Sequence, residues 1–456
     1  MPVLGRLWLA QNRWLLLGGA VLQCAFLYLL YLGPLNTQIP LFWGAFFAAF
    51  ALYLGLAWSM ASRPAGSLGL ILTLALLFRC TLLWSPPTLS DDIFRYLWDG
   101  RVQQAGINPY RYAPSDLHLE PLRDQYYAAI NHKELPTIYP PLSQLFFRLA
   151  ASVHPSPTAV KIGLTLVEMG LVLILPAILS QRRQDRRRVL IYAWNPLPII
   201  EIAGSGHSDS LGVFLLFLAL YCLGGHRPAR ATAALAAAFL SKFLPIMLVP
   251  LFWRQLGPAA GRSFMHRWFS LRRRLALMWF PCLAGLGFLY FVQTDVQLFA
   301  GLQTYLMKWR FNDAFFSVLY NLLRNPDLAV DDGALAQTKY ICSALLLLVI
   351  VWTLWRCDDF YQAAFAVLGT YLLLSPVLYP WYLLWILPFL SFFPRPSWML
   401  FSGLVFLAYA VLIAYSRNGL WLEPAWVKWA QYLPFFSLAV LENIRRVQRR
   451  GRSDTA

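Results

Sequence analysis

Apolar runs long enough to cross a membrane recur along the whole chain. A membrane-spanning helix needs about 20 apolar residues, and 59% of the 456 residues are apolar against 13% charged. A soluble protein of this size needs roughly twice that charge. The sequence predicts an all-α polytopic membrane protein with a single transmembrane domain over 1–444 and about twelve spans: 14–32, 41–61, 66–85, 159–180, 189–204, 209–224, 275–293, 339–356, 360–378, 381–394, 397–415 and 425–443.

Arginine clusters separate these runs and account for the net charge of +17. Because basic residues favour the cytoplasmic side, the clusters and the basic N-terminal residues place both termini in the cytoplasm, with 445–456 as a basic cytoplasmic tail. Binding to anionic membrane lipids explains such clusters, and nucleic acid is not an expected partner. The first apolar run has no small-residue cleavage site of a signal peptide. The clustered residues are Arg182, Arg183, Arg186, Arg187 and Arg188; Arg254, Arg262, Arg267, Arg272, Arg273 and Arg274; and Arg445, Arg446, Arg449, Arg450 and Arg452.

Two polar segments are predicted on the outer side. The first, 86–158, combines an acidic loop with 138–154, whose short apolar pattern carries Arg148 and predicts an amphipathic helix lying on the interface. The second is 294–337.

Segment 231–252 contains Lys242 and Pro245 at its middle. As a single span, this segment would place the next arginine cluster outside, so the sequence favours a re-entrant hairpin. If the hairpin spans the membrane instead, the number of transmembrane helices rises to as many as fourteen. Irregular backbone at membrane depth requires protein or a wet cavity around it. A buried Lys242 would pair with a phosphate or a carboxylate, and Glu201 is the alternative, purely structural partner.

The sequence SDDIFRYLWDGRVQQAGINPY at 90–110 begins the first outer loop. A helix over 92–104 would place Asp92, Arg95, Tyr96 and Asp99 on one face. A partly desolvated acid there could act as a general base on a hydroxyl; the alternative is a solvated helix with an aspartate cap. Tyr110 and its aromatic neighbours fit a sugar-stacking surface or an interfacial belt.

Three further segments carry candidate residues. The stretch 194–216 places Glu201, His207 and Asp209 in or near the membrane, where ionisable groups are expensive and usually functional; Asp209 could equally cap the next helix. The stretch 375–390 contains Trp381 and Tyr382 and fits either an anchored, proline-broken helix or the wall of a lipid or sugar pocket. Basic residues on the outer side could hold a phosphate, namely Lys308 and Arg310.

Five segments in this order resemble the C-superfamily (GT-C) of membrane glycosyltransferases, in the branch with bacterial polyprenol-phosphate-mannose-dependent mannosyltransferases. They are DDIFRYLWDGRVQQAGINPY, TIYPPLSQLFF with Tyr139, NPLPIIEIAGSGHSDSL, LSKFLPIMLVP and SPVLYPWYLLWILP. Ser208 and Tyr379 depart from the residues usual at their positions, which are Asn and His or Trp. A more distant similarity is to the eukaryotic GPI mannosyltransferase I.

The resemblance implies a GT-C-like bundle in the bacterial inner membrane with its active site on the periplasmic or outer face. A hexose, in the first place mannose, would move from a polyprenyl phosphate to a hydroxyl of a glycan or glycolipid, with inversion. Carried over by position, Asp92 is the general base, with Asp91 as its alternative, and Asp209 orients the sugar or the base.

The resemblance also suggests roles for the other candidates. Substrate-binding residues would be Arg95, Tyr96, Asp99, Tyr110, Tyr139, His207, Trp381 and Tyr382, and phosphate-binding residues Lys242, Lys308 and Arg310. No cofactor follows with certainty, and a divalent metal stays open because superfamily members differ.

Competing hypotheses are a transporter or flippase of lipid-linked glycans, an O-antigen ligase or polymerase, and a structural membrane subunit. A transporter would place its ionisable groups at midplane on broken helices, often in repeats, whereas the acids here concentrate in outer loops. The donor sugar, the acceptor and the linkage are left open.

Overall fold

The computed structural model of the chain describes residues 2–60, 66–256 and 271–453, and this part of the chain is helical. Its one extended pairing is a single parallel bridge between Phe311 and Val377. The described α-helices of seven or more residues are Pro2–Leu32, Ile39–Ser59, Leu68–Leu82, Asp92–Gln104, Pro141–Val153, Pro157–Gln181, Asp209–Gly224, Pro228–Ser241, Val249–Gln255, Leu271–Leu289, Ala300–Lys308, Phe315–Leu323, Asp332–Arg356, Phe360–Leu374, Pro396–Leu404, Val411–Asn418 and Ala425–Ser453.

Five of the described helical stretches are long and apolar enough to cross a membrane, by length and composition: Gln11–Leu32, Ile39–Ser59, Pro157–Gln181, Asp332–Arg356 and Pro396–Asn418. Four shorter helices are also apolar: Leu68–Leu82, Asp209–Gly224, Met278–Leu289 and Phe360–Leu374. The predicted all-α, polytopic architecture is confirmed, and the chain is an integral membrane protein.

Two predicted spans are not continuous helices. The run 189–204 is divided at Asn195 and ends in a π-helical stretch, Ile199–Gly204. The run 381–394 consists of two 3-10 turns, Pro380–Trp385 and Leu387–Ser391. Prolines cause both departures, since each removes a backbone donor and restricts the residue before it.

Segment 231–252 is also broken, as its sequence predicts. A helix ends at Ser241, Lys242 is extended, and a 3-10 turn, Leu244–Leu248, leads into Val249–Gln255. Its two flanks lie at the same end of the bundle. Gln181 bonds to the last turn of Asp209–Gly224, just before Pro228, and its neighbour Arg182 pairs with Asp359.

At the other flank Arg254 pairs with Asp358, the neighbour of Asp359. The segment therefore enters and leaves at one end of the bundle, the course expected of a re-entrant hairpin. That end also carries the arginine cluster at 182–188. Two arginines of the predicted cytoplasmic clusters, Arg262 and Arg267, and the last residues of the predicted tail, 454–456, lie outside the described residues.

A buried ion pair joins two apolar helices. Arg79 Nε lies 2.5 Å from Glu168 Oε2, and Arg79 Nη2 lies 2.6 Å from Glu168 Oε1. The guanidinium also donates to the carbonyl oxygens of Ala75 and Ala193. Because both side chains are almost fully buried, each charge depends on the other for its solvation.

The first outer loop is held by two crossing helices, Asp92–Gln104 and Pro141–Val153. Tyr96 stacks on Phe147 with ring centroids 4.4 Å apart, and Gly100 lies against the Phe147 backbone. Leu145, Leu149 and Val153 are exposed on the second helix, which gives it the apolar outer face expected of an interfacial helix.

Gly100→Ala is expected to lower the free energy of unfolding by about 1–3 kcal/mol, the usual effect of overpacking. A Cβ at this position would lie 2.4 Å from the carbonyl oxygen of Phe147, so the two helices would have to separate. Thermal unfolding in detergent checks this, with Gly44→Ala as the control because a Cβ there meets nothing within 4 Å. Equal melting temperatures for the two variants would contradict the prediction.

Candidate active site

A cavity of about 1190 Å³ lies at the end of the bundle away from Arg182 and Arg254. The beginnings of two helices, Asp92–Gln104 and Asp209–Gly224, meet there with the break at Lys242 and with the segments around 305–311 and 379–385. Most predicted site residues line it: Asp91, Asp92, Arg95, Tyr139, Asp209, Lys242, Lys308, Arg310, Trp381 and Tyr382.

Asp91 and Asp92 form an acidic pair on the cavity wall. Asn131 Nδ2 donates to Asp91 Oδ1 at 2.6 Å and lies 3.4 Å from Asp92 Oδ1. Asp91 occupies the cap position of its helix, yet its side chain makes no capping hydrogen bond, so capping does not explain the pair. Burial, with the neighbouring Asp91 charge, raises the pKa of Asp92 to about 7. A carboxyl with this pKa exchanges a proton near neutral pH, as a general base must.

Asp209 is fully engaged at the cavity floor. Trp385 Nε1 donates to its Oδ1 at 2.7 Å, and Lys242 Nζ lies 3.0 Å from its Oδ2. Lys242 also lies 5.3 Å from the centre of the Tyr382 ring. The alternative pairing of Lys242 with Glu201 is therefore wrong. Asp209 thus joins Lys242 of the broken segment to Trp385 of the turn Pro380–Trp385.

Arg310 and Lys308 differ in how their charges are balanced. Arg310 Nη2 lies 2.8 Å from Asp313 Oδ2, and Lys428 Nζ lies 2.5 Å from the other oxygen of the same carboxylate. Lys428 also pairs with Glu423. Among the described residues, Lys308 has no ion pair or hydrogen bond, and its side chain is exposed on the cavity wall. Lys308 is thus a cation available to a ligand.

Stacked rings form one side of the cavity. Phe311 stacks on Tyr379 with centroids 4.6 Å apart, and Tyr379 stacks on Trp381 at 4.4 Å. Behind the wall, Trp381 stacks on His207 at 3.7 Å. Flat aromatic faces of this kind suit the apolar face of a sugar ring or an isoprenoid chain.

Arg95 and Asp99 form an ion pair beneath the cavity. Arg95 Nε lies 2.9 Å from Asp99 Oδ1, while Thr137 and Gln144 donate to Asp99 Oδ2. Asp99 does not line the cavity. The pair ties the first loop together, although the sequence suggested that both residues bind substrate, which stays a prediction.

Tyr96, Tyr110 and His207 also lie behind the wall. Ser208 Oγ donates to Tyr96 Oη at 3.3 Å, and Tyr110 Oη donates to the Tyr139 carbonyl oxygen at 2.6 Å. All three rings are buried. Their predicted contacts with substrate would require movement of the residues in front of them.

Sequence reasoning missed three contributors to the cavity. Asn131 lies in an irregular stretch whose sequence pattern gives no signal, and Trp385 stands within an aromatic run in which no position is distinctive. Tyr305 lies in a short helix, and its hydroxyl is 2.6 Å from that of Tyr382. Only the folded chain brings them to the acids.

No group of three His, Cys, Asp or Glu side chains that could hold a metal ion occurs among the described residues.

Two family models match the chain. Residues 8–256 match the N-terminal domain of the alpha-(1→6)-mannopyranosyltransferase family, and residues 323–442 match the MptB C-terminal domain. No curated protein and no solved structure matches it significantly. The first model covers more than half of the chain and includes both acidic segments of the cavity, so the chain belongs to the alpha-(1→6)-mannopyranosyltransferase family.

Proposed function

We propose that the protein transfers mannose from a polyprenyl phosphate to a hydroxyl of a glycan or glycolipid at the outer face of the membrane, with inversion. One observation carries this proposal: a single cavity at one end of the bundle holds a carboxyl with a near-neutral pKa, an unpaired cation and a stacked aromatic wall. A membrane-embedded cavity of this composition fits a donor with a charged phosphate, a sugar and an apolar chain.

In the proposed reaction, Asp92 acts on the acceptor and Lys308 on the donor phosphate. The Asp92 carboxylate takes the proton of the acceptor hydroxyl, whose oxygen forms a bond to the anomeric carbon. The bond from that carbon to the phosphate oxygen breaks, and its electrons stay on the lipid phosphate. Lys308 stabilises that negative charge, as a preorganised cation does in many active sites.

The proposed orientation rests on the distribution of charge. The cavity with its acids lies at the end of the bundle opposite Arg182 and Arg254, and basic residues favour the cytoplasmic side. The cavity would then face the outside, where lipid-linked donors replace nucleotide-linked ones as the source of sugar.

Purified protein in liposomes tests the donor. We expect radiolabelled mannose to pass from polyprenyl-phosphate mannose to a mannan or glycolipid acceptor, and nucleotide-linked mannose to give no product. Product from the nucleotide-linked donor alone would contradict the proposed donor. Movement of labelled lipid across the bilayer without transfer would instead favour a flippase.

Lys308→Gln is expected to lower kcat/KM for the lipid-phosphate donor about 10–100-fold, the value of a hydrogen bond to a charged group, because the proposed role of Lys308 is to stabilise the phosphate as it leaves. The KM for the acceptor should stay unchanged, because Lys308 acts on the phosphate only. Initial rates at varied donor concentration measure this. Lys133→Gln is the control, since Lys133 is a partly exposed lysine of the first outer loop and does not line the cavity. An unaltered kcat/KM for the donor would contradict the placement of Lys308 at the phosphate.

A further inference from the structure

Two buried ionisable side chains behind the cavity wall, His207 and Glu201, have no task in the proposed transfer. Both are fully buried. Within the described part of the chain, neither ring nitrogen of His207 has a hydrogen-bond partner, and Glu201 Oε2 has none either. Buried polar atoms are nearly always bonded in native proteins, so unsatisfied ones call for an explanation.

The unsatisfied atoms face one another in a line that ends at the proposed base. His207 Nδ1 lies 3.7 Å from Asp92 Oδ2, and His207 Nε2 lies 3.4 Å from Glu201 Oε2. These separations exceed normal hydrogen bonds, but catalytic hydrogen bonds are often long before substrate binds and shorten in the complex.

The hydrogen bond from Tyr409 to Glu201 determines which atoms of Glu201 and His207 can carry protons. Tyr409 Oη donates to Glu201 Oε1 at 2.8 Å, so Oε2 is the Glu201 oxygen that can form a hydrogen bond with the His207 imidazole. If Glu201 is a neutral carboxyl, its Oε2–H donates to His207 Nε2, and His207 Nδ1–H then donates to Asp92 Oδ2. This arrangement satisfies every polar atom and places a single negative charge on Asp92, at the edge of the cavity. An ionised Glu201 would instead be a fully buried charge without a lysine or arginine partner among the described residues.

Stacking holds the imidazole in this line. The His207 ring lies flat on Trp381, with an angle of 15° between the rings, and this contact fixes the plane in which both ring nitrogens lie. Asp92 Oδ1 accepts one long hydrogen bond, from Asn131 Nδ2 at 3.4 Å, and this oxygen would approach an acceptor hydroxyl.

We propose that Glu201, as a neutral carboxyl, and His207, as its neutral imidazole partner, are positioning residues that orient Asp92 and stabilise its carboxylate form through a directed chain of hydrogen bonds from Tyr409. The inference rests on the proposed role of Asp92 as the base. Neither residue touches the substrate; both act through Asp92.

Infrared titration of the protein in lipid tests this without measuring transfer. The band of protonated Asp92 is assigned by its absence from Asp92→Asn. In His207→Phe, which keeps a ring to stack on Trp381, we expect its titration midpoint to rise by about one to two pH units, the value of one hydrogen bond to a charged group. Asp91, Asp209 and Lys242 also act on Asp92 and are unchanged in this variant.

Substitutions of Glu201 test whether its side chain is a neutral carboxyl that donates a hydrogen bond to His207 or a carboxylate that accepts one. Glu201→Gln keeps a donor toward His207 and an acceptor toward Tyr409, so the midpoint should stay at the wild-type value; Glu201→Leu should raise it as His207→Phe does. A band of protonated carboxyl should persist at pH 8 in the wild type and vanish in Glu201→Gln.

Three results would overturn the proposal: an unshifted midpoint in His207→Phe, equal shifts in the two Glu201 variants, or no Glu201 band at pH 8. Failure of wild-type transfer from the lipid-linked donor would contradict the proposed function instead, because the titration does not depend on turnover. Where transfer occurs, the midpoint of its pH profile should move with the infrared midpoint.

Discussion

Asp92→Asn is expected to lower kcat/KM for sugar transfer about 10³-fold, within the range that general-base catalysis contributes. Asparagine preserves the size of the side chain and its contact with Asn131, but it cannot accept the hydroxyl proton. Transfer assays with the purified variant in liposomes measure the loss.

Asp116→Asn is the matched control. Asp116 lies in the same outer loop, outside the cavity, and caps a 3-10 turn; asparagine caps as well as aspartate does, so activity should be retained. A larger loss in Asp91→Asn than in Asp92→Asn would move the base to the neighbouring residue.

The same assignment predicts a pH profile. The raised pKa of about 7 means that Asp92 is protonated, and inactive as a base, in acid. Transfer should therefore fall about tenfold for each pH unit below 7 and level off above it. In Asp91→Asn the midpoint should move to lower pH, because the neighbouring negative charge that raises it is gone. A flat profile from pH 5 to 8 would contradict the role of Asp92.

The second large effect is on stability. Arg79→Leu or Glu168→Leu should each lower the free energy of unfolding by about 3–5 kcal/mol, because each leaves an unpaired charge in the interior. The double variant should recover most of this loss, since two apolar side chains can fill the space without a charge. Unfolding in mixed micelles gives the three values.

Additive losses in the double variant would show that the two charges do not depend on each other. Arg182→Leu is the comparison for a partly exposed pair. Arg182 pairs with Asp359 with both side chains partly exposed, and such pairs contribute little.

The sequence predicted the architecture well where its signal was a long apolar run or a charged cluster. Helices Asp92–Gln104 and Asp209–Gly224 begin and end close to the predicted residues, because an asparagine-proline pair and glycines mark their limits. Stretches 189–204 and 381–394 have the hydropathy of a span, but their prolines divide both of them into short helical turns, whose limits hydropathy does not predict.

The sequence predicted which residues line the candidate site better than it predicted which of them form ion pairs and hydrogen bonds with each other. Asp92, Lys242 and Lys308 were predicted as site residues from their charge and position in the chain, and all three line the cavity. That Lys242 pairs with Asp209 depends on how a broken helix packs against its neighbour, which no local pattern encodes. The same holds for Asn131, which reaches the acids from a loop about forty positions further along the chain.

The charges of the side chains that line the cavity affect how the lipid phosphate leaves after transfer. Lys242 and Arg310 are paired with aspartates, so among the described residues that line the cavity Lys308 is the one lysine or arginine without an ion pair. In the proposed reaction the donor phosphate enters as a diester with one negative charge and leaves as a monoester with nearly two. Once Asp92 has lost its proton to water, it repels the lipid phosphate that the reaction has just released. The proposed reaction therefore increases the repulsion between the Asp92 carboxylate and the lipid phosphate, which favours departure of the product.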